Sequence, residues 1–431
     1  SHYAVGGGIL LALENQHAVR TGNAKYREYW KRHARFFILL TVVFGAITGV
    51  GIWWTIGLAS PLATEMLIRT FVFGWGMEWV FFVIELVAAF AFYYYWDRLP
   101  PHTHVIIGWI YAVAAWISLV LITGITAFML NTAGLFGQWS VTRDFWDAFF
   151  NVQWLPQTVL RTGASLILGT LYVLAHAAFV LRDDEATRSK TVRRMCVPLV
   201  IGILLVFAGF VGWFAYLPEV SRLTLERSAS LNIFSGVFVG SLGIMLLFVL
   251  FGPLRDPKTL NTGFAICLLV FGFAALGTAE FIREAVRKPY IVDGVVLGNQ
   301  ITEDEIEVCR KYGFLEHGFW TSRALRERYP DLWREDEDDH IDEKELLTRP
   351  PEERIAIGRM IFMHHCNDCH ATEHGYSAAG PLLYGSNKQE LREFVKNLNR
   401  RVKSMPPWCG NDAEAEMLAE YLVTIAPQRA K

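Results

Sequence analysis

The chain has little charge, few cysteines and no repeats. Asp, Glu, Lys and Arg make up only 19% of its 431 residues, while 53% are hydrophobic. A soluble domain is typically about a quarter charged, so one large soluble enzyme is excluded. Six cysteines in this length are too few for a disulfide scaffold. No internal repeat or low-complexity tract stands out. The net charge of −2 sums unlike parts and argues neither for nor against nucleic acid, and no nucleic-acid partner is expected. What remains is an integral membrane domain followed by a polar tail.

A bilayer crossing needs about 20 consecutive apolar residues. Seven stretches qualify: 35–59, 70–95, 104–130, 155–181, 192–217, 230–254 and 262–286. An eighth, 3–19, is short and starts at Ser1 with no initiator Met, so its beginning is expected to have been lost. The fold expected is all-α: a polytopic membrane bundle of about eight spans over residues 1–290, a linker over 291–351, and a small all-α domain over 352–431. Basic residues gather in alternate connections, as Arg20, Lys25, Arg27, Lys31, Arg32 and Arg35, then Arg182, Arg188, Lys190, Arg193 and Arg194. Arg98, Arg255 and Lys258 fall on the same side, against Arg69, Arg143, Arg222 and Arg227 opposite. The positive-inside rule puts the larger set in the cytoplasm. Eight spans then leave both ends outside, in the cytoplasmic (inner) membrane of a bacterium.

Residues 291–350 carry 16 of the 42 acids against 8 bases, including the run Glu335-Asp336-Glu337-Asp338-Asp339. This reads as a solvated linker, with docking of a basic partner as the competing reading.

Beyond it stands Cys366-Asn367-Asp368-Cys369-His370. Two thiols three apart can form thioethers to one haem, and the adjacent His supplies an axial nitrogen. A redox dithiol or half a zinc site competes with this reading. Residues 352–365 read as a helix entering the site, with Ile355, Gly358, Ile361 and Phe362 on one side. Gly380-Pro381-Leu382-Leu383-Tyr384-Gly385 is a turn-rich loop, Met405-Pro406-Pro407-Trp408 follows, and 412–425 reads as a closing helix. Residues 352–427 thus resemble a small class I cytochrome c, which implies one covalent haem c with Met405 as the distal ligand; core filler is the competing reading for Met405. His364, His365 and His374 are expected at the surface, and Cys409 as a spectator thiol. Haem c is attached outside the cytoplasm, in agreement with the topology.

Charged groups inside spans are costly and usually functional. Glu78 and Glu85, seven apart, share one helix face and read as proton-relay groups or neighbours of a ligand. His2 heads the first span before Gly6-Gly7-Gly8, a run that would let a flat macrocycle approach the backbone. Glu280, Glu284 and Arg287 are spaced i, i+4, i+7, as an interfacial cluster or as groups gathered around a cofactor. Arg161 requires an anion such as a haem propionate. His102, His104 and His176 read as satisfied polar residues.

These positions resemble the large subunit of cytochrome bd oxidases in outline over residues 1–290. The matching elements are His2, Glu85 eleven residues before Trp96-Asp97-Arg98, then His104 and Met129-Leu130-Asn131. Glu284-Ala285-Val286-Arg287-Lys288-Pro289-Tyr290 is similar to the family's E-x-G-R-Q-P-W signature. The resemblance implies that His2 and Glu284 are axial ligands of two high-spin haems (b and/or d) and that Glu85 supplies protons. Glu78 falls one residue out of register with a second such acid, and Arg287 matches the signature arginine. The family's low-spin haem ligand is replaced by Arg161 within Leu160-Arg161-Thr162. Its methionine partner falls near Val239, and the quinol loop shrinks to about 218–229. The economical reading is a changed electron entry, in which haem c replaces quinol and low-spin haem.

Two functions follow. One is a terminal oxidoreductase fed by a soluble or membrane cytochrome, reducing oxygen at a haem pair beside a second membrane subunit. The other is an electron-relay and anchoring subunit of a larger respiratory complex without terminal catalysis. A quinone-reactive variant comes third.

Overall fold

In lipid the backbone must satisfy its own N–H and C=O groups, which leaves the helix as the default for an isolated apolar run. The computed structural model describes residues 2–318, 320–333, 340–341, 343–375 and 377–427. It divides into two units, Ser1–Ala59 with Thr64–Val286, and Ser60–Ala63 with Arg287–Lys431.

The first unit begins with α1 (His2–Thr21) and α2 (Ala24–Ile38), which runs through a π-helical stretch (Leu39–Phe44) into α3 (Gly45–Ala59). Then come α4 (Pro61–Thr70), α5 (Val72–Tyr94), α6 (Pro101–Phe128), the short α7 (Trp139–Thr142) and α8 (Phe145–Phe149), and α9 (Trp154–Val180). α10 (Glu185–Ala215), α11 (Glu219–Arg227), α12 (Ala229–Phe251) and α13 (Thr262–Arg287) complete it. Seven of these helices are long and apolar enough to cross a membrane: α2 with α3, α5, α6, α9, α10, α12 and α13. The chain is therefore a multi-pass membrane protein. α1, the expected eighth span, is a 20-residue helix that falls outside that set. It carries Glu14 and Asn15, both buried by neighbouring helices. The second span starts earlier than its apolar run, because Asn23 caps the helix by accepting from the Tyr26 N–H. The added turns are amphipathic and bury Tyr26, Tyr29, Trp30 and His33.

The three-glycine run does not open a slot for a macrocycle. A Cβ on Gly6 would meet the Ser165 carbonyl oxygen at 1.7 Å, and one on Gly8 would meet the Tyr111 ring at 2.1 Å. Close helix approach uses these glycines instead, drawing α1 onto α9 and α6.

The second unit opens with an antiparallel hairpin of β1 (Tyr290–Val292) and β2 (Val296–Leu297). Short helices follow: α14 (Ile306–Tyr312), α15 (Phe314–His317), α16 (Thr321–Arg328) and α17 (Glu343–Thr348). α18 (Pro351–His365), α19 (Ala379–Leu382), α20 (Lys388–Lys396), α21 (Leu398–Arg401) and α22 (Asp412–Ile425) make up the rest. Ile357, Ile361 and Phe362 of α18 pack with Leu391, Met417, Leu418 and Tyr421. The segment expected as a solvated linker adds Leu297, Ile306, Phe314, Leu315, Leu325, Leu332 and Leu346 to the same core. Its acids divert attention from apolar residues that recur every few positions. The run 335–339 lies outside the described residues.

Glu414 ties this segment down. It is 1% exposed, and its carboxylate accepts from the backbone N–H of Phe314 at 2.7 Å, of Leu315 at 2.6 Å and of Asn411 at 2.9 Å.

Candidate functional site

An open cleft, with about 940 Å³ of space once its solvent-open mouth is included, lies in the membrane unit between α1, α9, α10, α12 and α13. Its walls are apolar, with Leu168, Phe210, Phe238, Leu242, Met245 and Leu276. Four polar side chains also line it: His2, Arg161, Glu280 and Arg283. Arg283 Nε donates to Glu280 Oε2 at 2.8 Å. His2, Arg161 and Glu280 are close enough for their charges to act on one another. Among the described residues no hydrogen bond engages the Arg161 guanidinium. An imidazole able to ligate iron, a guanidinium able to take a propionate and an apolar slot are what a haem requires, so the residues present fit the group.

This constellation differs from the expected one on α13. Glu280 and Arg283 face the cleft, whereas Glu284 and Arg287 are not among its lining residues. Glu284 stands one turn beyond Glu280 with a half-exposed side chain, its carboxylate 4.0 Å from Arg283. On α12, Val239 is 44% exposed, and Phe238 and Leu242 line the cleft in its place, with the buried Met245 deeper. Arg283 and Met245 escaped the sequence reading. The i, i+3 pairing of Glu280 with Arg283 was the available signal for the first.

The two acids of α5 both face α6. Tyr111 Oη lies 3.1 Å from Glu85 Oε1 and 3.2 Å from the Ala4 carbonyl, joining the acid to the helix that carries His2. Ser118 Oγ donates to Glu78 Oε1 at 3.1 Å. His104 is satisfied, between Asn15 at 3.1 Å and the Phe92 carbonyl at 2.8 Å, and His102 is exposed. His176 is not satisfied: its Nδ1 is buried with no hydrogen-bond partner.

In the second unit α18 leads into Cys366 and Cys369, both part-exposed. Burial and the neighbouring Cys369 push the Cys366 thiol up to about 12. A redox dithiol needs a lowered value, so this disfavours that reading. His370 Nδ1 donates to the Ser377 carbonyl at 2.8 Å, which orients the ring and leaves Nε2 for iron. Met405 packs part-buried against the core. The Trp408 indole N–H is buried with no acceptor, and its ring stacks 5.1 Å from His365. Haem carboxylates would supply such an acceptor, so this site fits haem as well. His365 corrects an expectation: it is 3% exposed rather than a surface residue, with both ring nitrogens lacking a hydrogen-bond partner. Cys409 is fully buried, its Sγ 3.2 Å from the Pro407 carbonyl, and burial holds its thiol at about 12. That is an inert thiol.

The family described as "Cytochrome bd terminal oxidase subunit I" matches residues 2–217, just over half of the chain. The family described as "Cytochrome C oxidase, cbb3-type, subunit III" matches residues 353–422. Among solved structures, the bd oxidase from Geobacillus thermodenitrificans superposes with a TM-score of 0.59 at 17% identity, covering 68% of this chain and 84% of that one. At that identity the likeness speaks for the fold. No curated protein matches.

Proposed function

The chain belongs to the cytochrome bd terminal oxidase subunit I family, and from that premise we propose that it is a cytochrome c-fed oxidoreductase reducing oxygen within the membrane. The coarser activity, a multi-pass membrane haem oxidoreductase of electron transport, rests on the two family matches. The finer reading is carried by one observation. Arg161, which the sequence resemblance sets at the family's low-spin haem ligand, lines a cleft with His2, while the same chain bears a Cys-x-x-Cys-His domain. Electron entry by a c domain in place of a quinol site accounts for both.

In this reading Cys366, Cys369, His370 and Met405 hold one haem c. His2 would hold a non-covalent haem of b or d type in the cleft, and Glu284, outside that lining, would hold a second where two are bound. When bound, the haems supply the change of redox state and the binding of oxygen. The protein's own residues do the rest. Arg161 and Arg283 hold anionic groups at the polar end of the cleft, Glu280 balances their charge, and Arg287 serves at the membrane edge. Glu85, held by Tyr111, passes protons toward the His2 helix, and Glu78 extends that face. The basic connections lie in the cytoplasm and the c domain on the extracytoplasmic side of the bacterial inner membrane. A second membrane subunit covers part of the exposed apolar surface, lipid covers the remainder, and a soluble or membrane cytochrome delivers the electrons.

A haem count on the purified chain tests this, by pyridine haemochrome and by reduced-minus-oxidised spectra with and without carbon monoxide. Oxygen uptake with reduced cytochrome c completes it. One haem c together with haems that bind carbon monoxide is the expected result. Haem c alone, or carbon monoxide-silent haems without oxygen uptake, would make the chain a relay and anchor subunit instead.

A further inference from the structure

The six cysteines fall into three pairs. Cys196 and Cys267 lie in the membrane-spanning helices α10 and α13. Cys366 and Cys369 belong to the haem attachment motif. Cys309 on α14 and Cys409 beyond Met405 are left over, 100 residues apart in the chain.

The fold brings this last pair into one core. Cys309 is 1% exposed and Cys409 is fully buried. Arg310, next to Cys309, donates from Nε to the carbonyl of Trp408, next to Cys409, at 3.0 Å. One turn on, a Cβ at Gly313 would lie 3.1 Å from Asn411 Nδ2, and the Phe314 N–H donates to Glu414. Residues 309–314 therefore run alongside 408–414, and Cys309 is close enough for its charge to act on Cys409.

Cysteine packs well as a small apolar residue, but two thiols in one core stay thiols only where the surroundings keep them reduced. The extracytoplasmic space is oxidising, and neighbouring thiols persist there as disulfides. The Cys409 S–H donates to the Pro407 carbonyl at 3.2 Å, and a thiol is a weak donor, so little opposes the loss of its hydrogen. A metal ion does not account for the pair, since no group of three or more His, Cys, Asp or Glu able to hold one occurs among the described residues.

We propose that Cys309 and Cys409 form a disulfide that locks the segment bearing α14 onto the loop bearing Met405. The proposal rests on the extracytoplasmic placement of this unit and not on oxygen as the acceptor. The bond forms by thiol–disulfide exchange with an oxidised dithiol protein of that compartment. The disulfide of the oxidant opens as the bond between Cys309 and Cys409 closes, and two electrons and two protons from the pair convert the oxidant to a dithiol. Burial pushes both thiols up to about 12 in the folded unit, and the thiolate is the attacking species, so exchange takes place before the core closes. The closed core then shields the bond from the reductants that keep Cys366 and Cys369 as thiols until haem is attached. The loop so closed contains Cys366, Cys369, His370 and Met405, and it restricts the unfolded chain around the haem site before haem is present.

The test uses the full chain in its native membrane. The chain is denatured with iodoacetamide present and no reductant, stained for covalent haem, digested and weighed by mass spectrometry. A peptide pair joining Cys309 to Cys409, about 2 Da lighter than the two thiol peptides together and lost completely on reduction, is the expected result. Cys409→Ser should then leave Cys309 fully alkylated under the same conditions. Alkylation of both cysteines in the wild-type chain, with haem on Cys366 and Cys369, overturns the bond while the placement stands, since haem c is attached outside the cytoplasm. Alkylation of both in a chain without haem c overturns bond and placement together. Protection of Cys309 that persists in Cys409→Ser gives it a different partner and overturns the pairing.

Discussion

Glu414 in the C-terminal unit and His33 in the membrane unit are buried polar groups treated in opposite ways. In the C-terminal unit Glu414 is as buried as any apolar core residue, yet three backbone N–H groups bond it. Arg354 pairs with Glu420 at 2.9 Å, and Lys388 reaches both Glu416 and Glu420. In the membrane unit His33 is equally buried and has no such bond. The C-terminal unit has unbonded buried atoms as well, at Asn299, Trp333, His364, His365 and Trp408, and of these His364 and His365 directly precede the Cys-x-x-Cys-His motif. A bonded buried group such as Glu414 holds the fold together, whereas His33 contributes no such bond.

The largest effect that would sharpen this contrast is the joint change of Cys366→Ala and Cys369→Ala. Haem-stained denaturing gels should lose the covalent signal completely while the carbon monoxide-binding spectrum of the membrane haems persists. Next, His2→Ala should remove most of that membrane signal and leave haem c intact; an unchanged membrane spectrum would refute His2 as a ligand. Met405→Ala should convert the low-spin c spectrum to a high-spin one without detaching haem, and retention of the low-spin spectrum would exclude the Met405 bond.

The contrast also has an energetic form. Glu414→Ala removes three charge-assisted bonds and should destabilise the C-terminal unit by about 3–5 kcal/mol in denaturant unfolding. His33→Leu removes no protein hydrogen bond and should change the stability of the membrane unit by no more than about 1 kcal/mol. Equal losses in the two would erase the distinction.

A pH-dependent effect concerns Asp293, whose carboxyl burial and Glu303 raise to about 6. Because the folded value is raised, the stabilisation is complete below about pH 4, falls as the pH rises, and is gone above about pH 6. Asp293→Asn should therefore stabilise the C-terminal unit by about 1–2 kcal/mol at pH 8 and not at pH 4, as read from melting curves. A pH-independent gain would place the effect elsewhere.

Reading the sequence worked best where the physics is local. The run 412–425 emerges as α22, Asp412–Ile425, since Asn411 and Glu414 form a capping box at its start. The segment 291–350 misled because composition counts acids and not where the intervening leucines and phenylalanines point. Gly6-Gly7-Gly8 misled for a related reason: a glycine run promises close approach but does not name the partner, which is protein here. On α13 the motif drew attention to Glu284, while helix rotation turned Glu280 and Arg283 into the cleft.

By itself, then, the sequence determined the seven apolar helices and the haem attachment motif. Backbone hydrogen bonding within a span and the spacing of two thiols involve only residues near one another in the chain. Tertiary structure alone decided that His2, Arg161, Glu280 and Arg283 share one cleft, and that His33 meets His176 inside the bundle. Glu280 and Arg283 apart, those neighbours lie more than a hundred residues from one another, and only the packing of helices sets which faces meet and which polar atoms are left unbonded.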